Sequence, residues 1–133
     1  MKLAVVRSAV DGKRVVVIDD SVVRGNTARS RVRLLRKAGA REVHLRVSCP
    51  PIKHPCFFGI DFPTGEELIA NTHDHAAMER ELEVDSLGYI SLEGMLRCAS
   101  GPADDYCTAC FSGRYPIAPP RSADKLKHER GGC

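Results

Sequence analysis

The sequence has no tryptophan, and its aromatic residues are three tyrosines and four phenylalanines. That scarcity argues against a stacking platform for single-stranded nucleic acid. No apolar run approaches the roughly 18 residues that a membrane-spanning helix needs. Met1-Lys2-Leu3 opens the chain without the apolar h-region of a secretory signal, so a cytoplasmic location with no membrane partner is expected. Neither sign of charge dominates: the net charge is +3, too weak by itself to argue for nucleic acid. Internal repeats and heptads are also missing. Cysteine, by contrast, is plentiful at six residues, and without a secretory signal such thiols serve metals or chemistry rather than disulfides.

What is there is one chemically dense stretch. Val15-Val16-Val17-Ile18 is a run of β-branched residues that reads as a parallel-sheet strand buried on both faces. Asp19-Asp20 stand at its carboxyl end, where open α/β sheets bind ligands. The turn Gly25-Asn26-Thr27 follows and opens a helix, so backbone N–H groups and a hydroxyl can meet an anion beside the positive end of the helix dipole. Two carboxylates beside a phosphate cradle suit a sugar phosphate accompanied by magnesium. A solvated strand end followed by an ordinary turn would share the same residues.

The remainder supports an α/β chain of one modest domain at 133 residues. Asn26 or Thr27 is expected to cap a helix running to about Ala38 and stopped by Gly39. Ala28, Val32 and Leu35 form its buried face and Leu34 widens it. Arg29, Arg31, Arg33, Arg36 and Lys37 occupy the other face, expected to be solvated and mildly self-repelling. Glu42 to Ser48 alternates as a second strand, ended by Pro50-Pro51. Thr64 and Glu67 fit a capping box for a helix to about Asn71. A charged, peripheral helix is expected from Asp74 to Leu82, a strand over Leu87 to Ile90, and a helix from Ser91 to Cys98. Composition then turns to Gly, Pro, Ser and Asp, and Pro119 to Cys133 reads as a disordered basic tail.

A second constellation is Cys107-Thr108-Ala109-Cys110, two thiolates on a tight turn that zinc, iron–sulfur or redox chemistry could use. Its surroundings favour a metal cluster over a redox motif, and Cys56 lies in a Pro-flanked loop that could approach it. Cys49 and Cys98 are read as small buried residues.

The core Asp19-Asp20-Ser21-Val22-Val23-Arg24-Gly25 resembles the phosphoribosyl-pyrophosphate (PRPP) motif of type I phosphoribosyltransferases, within them the glutamine PRPP amidotransferase family. Ser48-Cys49-Pro50-Pro51-Ile52, Pro55-Cys56-Phe57-Phe58-Gly59-Ile60-Asp61, Glu66-Glu67-Leu68-Ile69-Ala70 and Cys107-Thr108-Ala109-Cys110-Phe111 carry the likeness on to about Pro116. The resemblance implies a partial type I phosphoribosyltransferase fold: a Rossmann-like parallel sheet with flanking helices, plus an irregular, cluster-bound C-terminal segment. Residues 1–62 would be the phosphoribosyltransferase part, 63–118 a helical and iron–sulfur segment, and 119–133 the tail.

It further implies the first step of purine synthesis, in which glutamine-derived ammonia displaces pyrophosphate from PRPP to give phosphoribosylamine. Asp19 and Asp20 would be catalytic and magnesium-associated. Lys2, Ser21, Val23, Arg24, Gly25, Asn26 and Thr27 would bind substrate. Cys56, Cys107 and Cys110 would hold a [4Fe–4S] cluster whose fourth ligand lies upstream of this chain. A glutaminase domain, purine nucleotide inhibitors and a homotetramer are implied for the full-length enzyme, and the chain alone is expected to turn over little. Asn26 replaces the family's usual Thr and Ala28 a common Ser, which should weaken phosphate binding. The rival readings are a PRPP- or nucleotide-binding module without turnover, a small zinc-binding interaction protein, and an Arg-rich nucleic-acid binder.

Overall fold

The computed structural model of the protein describes residues 4–60 and 64–119. Lys2, Asp61 and nearly all of the basic tail lie outside them. Its centre is a three-stranded parallel sheet in the order β1-β2-β3, formed by β1 (Arg14–Asp19), β2 (Glu42–Val47) and β3 (Ser86–Tyr89). Val15 pairs with Val43 and Val17 with Leu45 across the first seam, while Leu45 pairs with Leu87 across the second. Right-handed crossovers are the rule for such parallel neighbours, and helices supply them. Around the sheet lie α1 (Arg7–Val10), α2 (Asn26–Lys37), α3 (Ile69–Thr72), α4 (His75–Leu82), α5 (Leu92–Cys98) and α6 (Ala109–Ser112).

Alternation in β2 decides which face becomes core. Val43, Leu45 and Val47 are 0%, 1% and 3% exposed, turned onto the helices, while Glu42, His44 and Arg46 face away. From α2 come Ala28 and Val32, both buried, and from α4 come Met78 and Leu82 at the i, i+4 spacing that puts two side chains on one face. Val22, Ile69 and Leu87 join Ala28, Leu45, Val47, Met78 and Leu82 in the main cluster, while Val32 and Val43 pack with Ala40 in a second one. Residues before and after position 62 therefore fold around a common core.

Three sequence expectations change here. The β1 strand is half-buried on one face only: Val16 is 58% and Ile18 77% exposed, because β1 is an edge of the sheet and the described helices cover a single side. Helix α4 is charged but not peripheral, since its charges lie outward and Met78 and Leu82 point in. Leu34, expected to widen the buried stripe of α2, is 46% exposed.

The arginine row is not self-repelling either. Arg29 pairs with Glu81, Arg33 with Glu83 and Arg36 with Asp85, tying α2 to α4 and to the turn before β3. The Arg33 hydrogen bond holds the Glu83 carboxyl below the usual range. Asp85 is lowered too, chiefly by the Val43 backbone N–H that donates to its Oδ2 at 2.6 Å, with Arg36 adding to it. Among the described residues, no helix is long and apolar enough to cross a membrane.

Candidate functional site

Strand β1 ends on Asp19, and its last carbonyl is fixed by β2: the Ser48 backbone N–H donates to Asp19 O at 2.9 Å, and the Ser48 hydroxyl at 3.3 Å. The chain then leaves the sheet. Asp20 Oδ1 accepts from the Ser21 N–H at 2.8 Å, Val22 drops into the core at 3% exposure, and Val23 O accepts from the Ile69 N–H at 2.9 Å. The loop is thus clamped onto α3 before it enters α2.

Gly25 makes the entry possible. Its φ of +80° is one that L side chains rarely adopt, and a Cβ there would lie 2.9 Å from Leu82 Cδ2 and 3.0 Å from Ile69 Cδ1. Glycine, rather than the expected Asn26 or Thr27, is also the N-cap of α2, and no side chain caps that end. The first N–H groups of a helix have no intrahelical partners. At α2 they border a cavity of about 340 Å³ lined by residues 19–28 and Arg31.

That cavity gathers Asp19, Asp20, Ser21, Val23, Arg24, Gly25, Asn26 and Thr27, all singled out by the sequence; Lys2 lies outside the described residues. Arg24 is engaged elsewhere at its tip, where Nη2 donates to Glu67 Oε2 at 3.1 Å and Oε1 at 3.2 Å. This pair displaces the expected capping box: Thr64 makes no side-chain cap, and a 3₁₀ turn at Gly65–Glu67 stands apart from α3. Asn26 Oδ1 accepts from Arg29 Nη2 at 3.2 Å. Arg31, which sequence reasoning set among solvated residues, donates through Nη1 to Asp19 Oδ2 at 2.6 Å. Its position on α2 one turn past the loop was the signal that could have found it.

The acidic pair offers hard carboxylate oxygens, the donor type magnesium prefers. With only two such groups, a magnesium ion here would complete its shell from water, joined by ligand phosphates when these are bound. The donor set fits on that condition.

The thiols form a separate neighbourhood. The Lys53 and His54 N–H groups both donate to Cys110 O, at 2.9 and 3.0 Å, and Tyr115 donates its hydroxyl to Pro55 O at 2.8 Å. Phe57 and Phe58 pack on the Tyr115 ring at centroid distances of 5.3 and 6.3 Å. These contacts bring the Cys56 loop against Cys107-Thr108-Ala109-Cys110. Burial pushes the Cys110 thiol up, and nearby Cys56 and Cys107 push it further. Burial likewise raises Cys49 to about 11, with Cys110 and Asp20 adding to it. The sulfurs are soft donors of the right type. Among the described residues, however, no three Cys, His, Asp or Glu side chains are gathered closely enough to hold a metal ion.

No family model matches the chain. It is 49% identical over 127 residues to an amidophosphoribosyltransferase of Synechocystis sp., covering 96% of this chain and 26% of that protein. Its identity to the Bacillus subtilis amidophosphoribosyltransferase is 52% over 120 residues, 87% of this chain and 25% of that protein. Among solved structures it is 48% identical, with a TM-score of 0.82, to an allosteric regulatory enzyme of purine biosynthesis, covering 92% of this chain and 27% of that one. The same identity and TM-score relate it to glutamine PRPP amidotransferase from B. subtilis complexed with ADP and GMP. The chain spans about a quarter of the length of the curated relatives it matches.

Proposed function

Along almost its whole length this chain is homologous to a segment of the amidophosphoribosyltransferases, and on that premise we propose that its acidic strand end and the following loop bind PRPP. The observation that carries the reading is spatial: two carboxylates and the uncapped start of α2 border one cavity. In this reading Asp19 and Asp20 accept hydrogen bonds from the ribose hydroxyls. The first N–H groups of α2 and the Thr27 hydroxyl hold the 5-phosphate, where the helix dipole adds favourable potential.

As the C1–O bond to pyrophosphate breaks ahead of bonding to ammonia, positive charge builds on the ribose ring, and fixed carboxylates nearby stabilise it. Magnesium, when bound, would be held by Asp19 and Asp20 with the ligand's phosphates and would offset charge on the departing pyrophosphate. Asn26 can still donate to phosphate through its amide, and Ala28 contributes only its backbone N–H, so the grip is weaker than a hydroxyl-rich loop would give.

We assign PRPP binding to this chain, and ammonia transfer in cytoplasmic purine synthesis to the full-length enzyme, with its glutaminase, purine nucleotide inhibition and homotetramer. Cys56, Cys107 and Cys110 are proposed as three thiolate ligands of a [4Fe–4S] cluster with a purely structural role. As they stand they do not form a closed ligand set, and no step of the transfer is routed through them. Iron and sulfide analysis of anaerobically purified protein decides between this cluster, zinc and bare thiols.

The site itself is tested by calorimetry of PRPP with magnesium on the unaltered chain and on the Asp19→Asn/Asp20→Asn double variant. Binding that is present in the first and lost in the second is expected. Equal affinity in both would sink the assignment.

A further inference from the structure

Three arginines of α2 take their partners from the neighbouring helical layer and the turn before β3, as Arg29, Arg33 and Arg36 do. Arg31 differs. Its guanidinium turns to the strand end and donates to Asp19 Oδ2 at 2.6 Å. The Asp19 side chain is 14% exposed and that of Arg31 46%. A carboxylate that has largely left water is therefore matched by a cation that remains in touch with it. Both line the same cavity.

A charge-assisted contact of this kind is roughly twice as strong as a neutral hydrogen bond. While it is made, Asp19 cannot give the same oxygen at full strength to a second cation. Releasing it need not strand the arginine, because a half-exposed guanidinium can rehydrate or turn to an anion at the adjoining start of α2.

We propose that Arg31 is a positioning residue of this site: a counter-ion built into the chain that occupies Asp19 when no metal is bound and competes with a divalent cation for it. The proposal rests on reading Asp19 as part of a sugar-phosphate and magnesium site. Arg31 would then hold the carboxylate in one rotamer, ready for ligand, and at the same time suppress metal uptake by the empty site. A lysine at position 31 would keep the competing charge but lose the planar fork.

The experiment is a titration of the full chain with Mn²⁺, a paramagnetic stand-in for magnesium, followed by electron paramagnetic resonance of the free ion. The unaltered protein is compared with R31Q, R31K and D19N, each checked for its fold by circular dichroism. R31Q is expected to bind Mn²⁺ about three- to tenfold more tightly, the range between an exposed and a partly buried ion pair. R31K should stay within about twofold of the unaltered chain, since its charge still competes. D19N should lose most of the affinity. Mn²⁺ binding by R31Q that is no tighter than that of the unaltered chain overturns the proposal, as does an absence of Mn²⁺ binding in every form. A parallel titration with ribose 5-phosphate separates the two readings. If the sugar phosphate fails to bind but R31Q still gains on Mn²⁺, the PRPP reading falls and the counter-ion role stands.

Discussion

Replacing Gly25 by alanine tests the link between core packing and the loop that shapes the cavity. Two terms add. The first is conformational: at φ +80° an L-residue sits in the left-handed region, which costs about 1 kcal/mol or slightly more. The second is steric, because the new Cβ would meet Leu82 Cδ2 at 2.9 Å and Ile69 Cδ1 at 3.0 Å. Both neighbours are buried, at 0% and 3% exposure, so neither side chain can swing into solvent to make room. Overpacking of this kind costs about 1–3 kcal/mol.

Gly12 supplies the control. It also has positive φ, at +69°, but a Cβ there meets nothing within 4 Å. Gly12→Ala should therefore lose only the conformational term, about 1 kcal/mol, and Gly25→Ala roughly 2–4 kcal/mol. Urea denaturation followed by circular dichroism measures both on the same chain. PRPP affinity should also fall in Gly25→Ala, because the residue sets where α2 begins, and should be unchanged in Gly12→Ala. Equal losses of stability in the two variants would refute the idea that the loop is pressed against Leu82 and Ile69.

Further outcomes follow from the same packing and electrostatics. Leu82→Ala removes a fully buried side chain from the main cluster and should cost about 2–5 kcal/mol in the same denaturation assay, enough to unfold much of so small a chain. Glu42, Glu83 and Asp85 all have carboxyls lowered by folding. Their stabilisation is complete above the unfolded carboxylate range and is lost as pH falls through the folded values, so the urea midpoint should decline steadily below about pH 5. Asp85→Asn should flatten part of that decline, and an unchanged slope would count against its role. Cys49, raised to about 11 by burial, should resist iodoacetamide at neutral pH while Cys98, which is exposed rather than buried as the sequence suggested, reacts first, as read by peptide mass spectrometry.

Much of the scaffold was legible because its signals are local. The β-branched run, the alternation of Val43, Leu45 and Val47, and the cap at Ser91 each sit within a few residues of the element they specify, whereas Asp74, expected as the first residue of its helix, is its N-cap. Asp74 Oδ1 accepts from Ala77 N–H at 2.7 Å and Ser91 Oγ from Gly94 N–H at 3.0 Å. The order of strand, acidic pair, glycine turn and helix likewise foretold where a cavity would open. What the sequence hid was long-range pairing. Glu67 left its capping box for Arg24, 43 residues away, whose Nη2 meets both of its carboxylate oxygens. The arginine row looked unpaired because Glu81, Glu83 and Asp85 lie 49 to 52 residues on in their respective pairs. Arg31 looked solvated because its charge matches the row around it, and only its place one turn past the loop sets it apart. Burial of β1 was misjudged since apolar content says how much surface wants cover, not how much cover the fold supplies.

The same strand that delivers Asp19 is laced to the rest of the protein along a single seam. On that side the Ser48 amide and hydroxyl brace its last carbonyl; on the other, Val16 and Ile18 meet water. The backbone of the strand that aims the acidic pair is therefore laced along one edge, and among the described residues one of its faces is left open. A polypeptide laid on those two side chains would shed ordered water and stiffen the strand from its open face, next to the carboxylates it carries.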